Sequence, residues 1–156
     1  MKKFLLVFVL LIVITTSVFA AQPVKGVGVG LTTGLPFHIG PTAEYNFGPA
    51  YAGMSLGYGY FSSFWLRFEG GYNFPKPFVH NDWGIDLYLS VGGYFDLQFT
   101  GGSTFFGIGI PVTWSYTLPK VPVKVYAKAG PEINFSGWGA GVGFIGSIGG
   151  MYVFEL

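Results

Sequence analysis

From Ile85 to Phe99 the chain alternates between two kinds of side chain. Ile85, Leu87, Leu89, Val91, Phe95, Leu97 and Phe99 share one face, and Gly84, Asp86, Tyr88, Ser90, Gly92, Tyr94, Asp96 and Gln98 share the other. A helix would repeat every 3.6 residues, so a period of two over this length specifies a strand. The pattern recurs as Val123, Val125, Ala127, Ala129 and Ile133 against Lys124, Tyr126, Lys128, Glu132 and Asn134. It recurs again as Ile39, Ala43, Tyr45 and Phe47 against His38, Thr42, Glu44 and Asn46. In all, eight alternating segments are read, at 24–33, 38–47, 51–61, 64–74, 83–99, 105–118, 123–135 and 139–156.

Between them lie turn compositions, in which Pro presets φ and Gly admits positive φ. Gly48-Pro49-Ala50, Pro75 to Asp82, and Pro119-Lys120-Val121-Pro122 fall on one side. Gly34-Leu35-Pro36-Phe37, Ser62-Ser63, Thr100 to Thr104, and Ser136-Gly137-Trp138 fall on the other. An even number of strands with short connections places both ends of the sheet on the same side.

Half the residues are hydrophobic and a fifth aromatic, yet after residue 21 no apolar run is long enough for a membrane helix. Charged residues make up 10%, against about a quarter in a soluble domain. An all-β, antiparallel, up-and-down transmembrane barrel of about eight strands resolves that tension, because its strands are apolar on one face only. Ahead of it, Met1-Lys2-Lys3, the apolar run Phe4 to Ile14 and the small residues up to Ala20 form a signal-peptide pattern. The expected organisation is a signal peptide over 1–20, cleaved after Ala20, and a barrel over 21–156. The mature chain then carries six Lys/Arg and seven Asp/Glu, a net charge of −1, with no basic patch for nucleic acid. The absence of Cys excludes disulfides and thiolate metal sites.

Three features point the apolar face outward. Aromatics cluster near the turns on the side of the termini: Tyr45 and Phe47, Tyr72 and Phe74, Trp114 and Tyr116, Tyr152 and Phe154. Rings at strand ends form interfacial girdles. The other face is rich in Gly, where a water-facing strand would carry Lys, Glu and Thr. The apolar side chains of eight strands would also overfill a small closed barrel.

The inward face therefore receives the charges: Glu44, Arg67, Glu69, Asp86, Asp96, Lys124, Lys128, Glu132 and Glu155. Charged strands have Gly-rich neighbours, which gives long side chains room to cross the interior. Counting from the turns places Glu44, Asp86 and Lys124 toward the terminal end, Glu69 and Lys128 at mid-depth, and Arg67, Asp96 and Glu132 toward the far end. Contacts are expected within these layers, for example Arg67 with Glu132, because unpaired charge in a dry interior is costly. Such a network either fills the barrel or lines a narrow polar path. Pro41, Pro111 and Pro131 fall inside strands, where each removes a ladder donor, so bulges are expected there.

The C-terminal Tyr152-Val153-Phe154-Glu155-Leu156 resembles the terminal strand signal of bacterial outer-membrane barrels, with Leu156 where such strands usually end in Phe. The stretch from Gly107 to Leu156 is similar to the last four strands of many uncharacterised small outer-membrane barrel proteins, and the overall size resembles that of the OmpA/OmpX-type eight-stranded barrels. That resemblance implies an outer-membrane location, contact with outer-membrane lipid, and engagement of the barrel-assembly machinery through Tyr152, Phe154 and Leu156, with the chain a monomer. It transfers no active-site residue.

Other motifs carry less. Gly141-Val142-Gly143-Phe144-Ile145-Gly146 has the letters of a dinucleotide fingerprint, but it sits in an alternating segment and no helix follows. His38 and His80 lie at opposite ends, and neither assembles a triad or a metal cluster. No catalytic residue, cofactor or metal is expected. The leading expectation is a structural envelope barrel or one passing small solutes. The alternative is a soluble periplasmic, lipocalin-like barrel with the faces reversed and an apolar ligand inside.

Overall fold

The computed structural model describes residues 25–35, 38–59, 62–80, 86–118, 120–136 and 139–156. The signal-peptide segment lies outside the described residues. The strands are β1 (Gly26–Leu35), β2 (His38–Asn46), β3 (Ala50–Gly59), β4 (Ser63–His80), β5 (Asp86–Thr100), β6 (Ser103–Gly109), β7 (Val112–Thr117), β8 (Val123–Ser136) and β9 (Gly139–Glu155). All neighbours are antiparallel. The order runs β4-β3-β2-β1-β9-β8-β6-β5, with β4 also paired to β5, so the sheet closes on itself. No α-helix occurs among the described residues.

The sixth segment, read as one strand over 105–118, is split into β6 and β7 at Ile110-Pro111. The two halves occupy a single place between β5 and β8, so nine strands make an eight-membered ring. Both halves keep one register: Gly109 faces Glu132 and Val112 faces Ala129. The bulge expected at Pro111 is therefore absent, and the same holds at Pro41 and Pro131. Around Pro41 the β2–β3 ladder stops at Ile39–Tyr58 and resumes at Thr42–Ser55 without a shift. The physical reason is that each proline leaves one donor missing on one edge, and the sheet tolerates one gap more cheaply than a displaced register. Around the gaps, the Gly92 amide donates to the Pro111 carbonyl and the Ile110 amide to the Pro131 carbonyl, each at 3.2 Å. The register shifts instead between Asn73, Pro77 and Val79, where β4 continues through a stretch expected to be a connection.

Following partners once around the ring gives the geometry of closure. From Val153 the walk passes Gly28, Glu44, Gly53, Glu69, Tyr94, Gly109 and Glu132 and returns to β9 at Gly143. The return point is ten residues from the start (153 − 143). With eight places and that stagger, strands tilt by about 40° and the backbone lies about 8 Å from the axis. An interior so narrow is just wide enough for side chains to fill.

The same walk explains the glycines. Bulky inward residues alternate with Gly on neighbouring strands, and each large ring lies over one. Tyr94 faces Gly109, Trp65 faces Gly57, Tyr126 faces Gly149 and Tyr51 faces Gly71. A Cβ on Gly109 would stand 2.6 Å from the Tyr94 ring, and one on Gly71 would stand 2.8 Å from the Tyr51 ring and 2.6 Å from Gly92 Cα. The outward face is the reverse. Leu31, Ile39, Phe68, Ile108, Phe144 and Ile148 are among the many large apolar side chains left exposed there.

Gly71→Ala is accordingly expected to destabilise the barrel by about 1–3 kcal/mol, the cost of overpacking. Gly141→Ala, whose new methyl would meet nothing within 4 Å, should be close to neutral. Denaturant unfolding of the refolded chain followed by Trp fluorescence checks the contrast.

Candidate functional site

The inward face of the ring gathers the charged residues into ion pairs stacked along the axis. Nearest the termini, Lys124 Nζ lies 2.6 Å from Glu44 Oε1. At mid-depth Lys128 pairs with Glu69. Toward the far end Arg67 Nη2 lies 2.6 Å from Asp96 Oδ2. Lys124 and Glu44 are three places apart in the eight-membered ring, by way of β9 and β1. Lys128 and Glu69 are three places apart by way of β6/β7 and β5. Both pairs therefore cross the interior rather than lie along the wall.

The terminal-end layer extends into a hydrogen-bonded belt. Asn46 Nδ2 donates to Glu44 Oε1 at 3.0 Å, Asn73 Nδ2 to Asn46 Oδ1 at 2.8 Å, and Ser90 Oγ to Asn73 Oδ1 at 2.6 Å. Together with Lys124 it joins β8, β2, β4 and β5 across that end. Above it, Thr42 and Ser55 share a hydrogen bond at 2.8 Å, and the Lys128 ammonium lies over the Tyr126 ring at 4.9 Å.

The expected Arg67–Glu132 contact is replaced by a relay through Tyr94. The guanidinium lies 4.2 Å from the centre of the Tyr94 ring, whose hydroxyl donates to Glu132. Asn134 Nδ2 also donates to Glu132. Geometry forces this outcome: Tyr94, on β5, fills the space over Gly109 that separates Arg67 from β8. Arg67 also lies 4.9 Å from the Trp65 ring, so its charge is held by one carboxylate and two ring faces.

Of the expected interior charges, Glu44, Arg67, Glu69, Asp96, Lys124, Lys128 and Glu132 are brought together in this way. Asp86 stands at the end of β5 opposite His80 in the register, and Glu155 is exposed at the rim. His38 is buried at the far end, 4.4 Å from Trp65 ring to ring. Tyr51, Tyr94, Tyr126, Asn46, Asn73 and Ser90 were not singled out from the sequence, although each occupies an inward position of the alternation. Among the described residues no group of three or more His, Cys, Asp or Glu is placed to hold a metal.

On the outside, the expected aromatics sit at the terminal end of their strands. Rings of Tyr45 and Phe47 meet at 4.5 Å, Tyr72 and Phe74 at 5.5 Å, and Tyr152 and Phe154 at 4.8 Å. Trp114 and Tyr116 face Ala127 and Val125 on β8. A second ring, unforeseen from the sequence, runs round six of the eight places at the far end through Tyr58, Phe64, Phe99, Phe106, Phe135 and Phe144. In it Phe106 stacks on Phe135 at 4.6 Å and Phe64 on Phe99 at 6.3 Å. Phe64 and Tyr72 on β4, and Phe144 and Tyr152 on β9, are each eight residues apart. At this tilt the two rings stand about 20 Å apart along the axis.

Compared with known protein families, curated proteins and solved structures, the chain matches none.

Lys128 and Glu69 are respectively 7% and 4% exposed, so their pair is buried. Lys128→Met is expected to cost about 3–5 kcal/mol by stranding the Glu69 carboxylate. Adding Glu69→Leu should recover most of that loss. A double-mutant cycle by denaturant unfolding measures the coupling.

Proposed function

We propose that this chain is an integral outer-membrane β-barrel with a structural role in the envelope, its interior filled by side chains. The observation that carries the reading is the inversion of the faces. Ion pairs and amides are buried inside, while large apolar side chains stand exposed all round the outside. Water would penalise a continuous apolar band of this extent, whereas hydrocarbon would welcome it. The aromatic rings at its two edges stand about 20 Å apart along the axis, close to the apolar band of about 25 Å that interfacial girdles flank. A lipocalin-like carrier would need the opposite, an apolar interior for its ligand.

In this reading the N-terminal 20 residues are the export signal, the ends of the barrel face the periplasm, and β9 carries the assembly signal in Tyr152, Phe154 and Leu156. The crossing pairs Lys124–Glu44 and Lys128–Glu69 and the belt through Asn46 and Asn73 act as internal struts, which supports a filled interior over a pore.

Fractionation of the expressing cell tests this first. The protein should sediment with outer membranes, begin at Ala21 by mass, and run faster on a gel before boiling than after. Recovery in the soluble periplasmic fraction would reject the proposal. In planar bilayers the refolded chain should show no steady conductance, and stable openings would replace the filled interior with a pore.

A further inference from the structure

The stagger of ten residues leaves the wall uneven, and one step of it exposes a sheet edge. β1 ends at Leu35, opposite Gly146 of β9. β9 continues from Ile145 to Gly139, paired with β8 on one side only. Among the described residues no strand covers its other side, over seven residues or about 18 Å of wall. The β1–β2 hairpin is the sill of this notch.

Which backbone groups face the notch follows from the ladder. The Leu156 amide donates to Lys25 on the β1 side, and the Val153 amide donates to Pro122 on the β8 side. Antiparallel pairing alternates these directions residue by residue. The N–H and C=O groups of Phe144, Val142 and Ala140 therefore point into the notch. Their side chains point outward, with Val142 86% and Phe144 68% exposed. Phe144 belongs to the far aromatic ring, and Val142 lies one pleat beyond it.

An opposite step occurs at the terminal end, where β4 runs past the start of β3 from Phe74 to His80. That edge carries Pro75 and Pro77, which remove donors and blunt it against pairing. The upper edge of β9 has no proline and keeps all of its donors.

Resting on the membrane reading above, we infer that this edge is a docking site for the hydroxyl-rich headgroup of a neutral glycolipid in the leaflet at the far end. Three observations select that occupant. The groups that face the notch sit at the far aromatic ring, which is headgroup depth, within reach of the polar groups of lipid headgroups. They alternate donors with acceptors, which suits hydroxyls that do both, whereas a phosphate only accepts. Among the described residues, the far ends of the strands and the turn at Gly101-Gly102 contain no Lys or Arg, so an anionic headgroup would find no counter-charge on them. A second copy of the chain does not fit. Side by side in one membrane, two barrels are related by a two-fold along their axes, and their β9 strands would lean apart by about 40° each instead of pairing.

The refolded full-length chain would be inserted into phosphatidylcholine vesicles with and without a diglycosyl diacylglycerol. Amide hydrogen exchange would be read residue by residue. The glycolipid should slow exchange at Ala140, Val142 and Phe144 by roughly tenfold, with cross-relaxation from sugar protons, and leave the β8-facing amides unchanged. Val142→Pro removes a donor only from the free edge, so insertion and heat-shifted mobility should persist while the sugar-dependent protection of Ala140 and Phe144 disappears. Equal exchange in both vesicles would overturn the inference, as would protection that appears only when an extended peptide is added. Failure of the chain to insert at all would instead sink the membrane reading on which the inference rests.

Discussion

Closure of one antiparallel sheet with a stagger of ten residues is the constraint from which the other features descend. A closed sheet has no lateral edge along most of its length, so nearly every backbone group finds a partner within the wall. Eight places and that stagger set the tilt and the narrow radius, and the radius sets how much side chain the interior can hold. The prolines show how strongly closure governs the rest. Around Pro41, Pro111 and Pro131 the ladder gives up single hydrogen bonds, yet the register on either side is unchanged. A displaced register at any of them would have turned the inward faces of the following strands outward.

The interior is built by pairing large with absent side chains. Tyr94 over Gly109, Tyr126 over Gly149, Trp65 over Gly57 and Tyr51 over Gly71 each use a glycine on the adjoining strand as a seat. These rings occupy much of the cross-section, and the charges take what remains. Lys128 reaches Glu69 across the interior because the strands between them carry glycine or short side chains at that level. The same crowding lets Tyr94 stand between Arg67 and Glu132 and pass the interaction on through its ring and hydroxyl.

Much of this was legible in the alternation. It separated inward from outward residues along each strand and assigned the charges to layers along the axis, although Asp86 stands opposite His80 at the end of β5 and not in the Glu44–Lys124 pair. Glu44 with Lys124 and Glu69 with Lys128 meet within their expected layers, and Arg67 finds Asp96 within its own. Partner choice within a layer was less legible, as Arg67 and Glu132 illustrate, because it depends on the lateral offset between strands rather than on depth. The far aromatic ring escaped notice since Phe64, Phe99, Phe106 and Phe135 come from four strands and converge only when the stagger is known. The extension of β4 through Pro75 and Pro77 was hidden by composition, since prolines read as a turn, but on a free edge a missing donor is harmless.

What the sequence by itself determined is the period of two and hence which residues share a face. That information is local: successive side chains on an extended chain must point opposite ways. What only the tertiary structure decided is the stagger, and with it the ion-pair partners, the seats of the aromatic rings, and the exposed upper edge of β9. Those depend on how far each strand slides against its neighbours, a non-local quantity that the ring fixes only when its last strand meets its first.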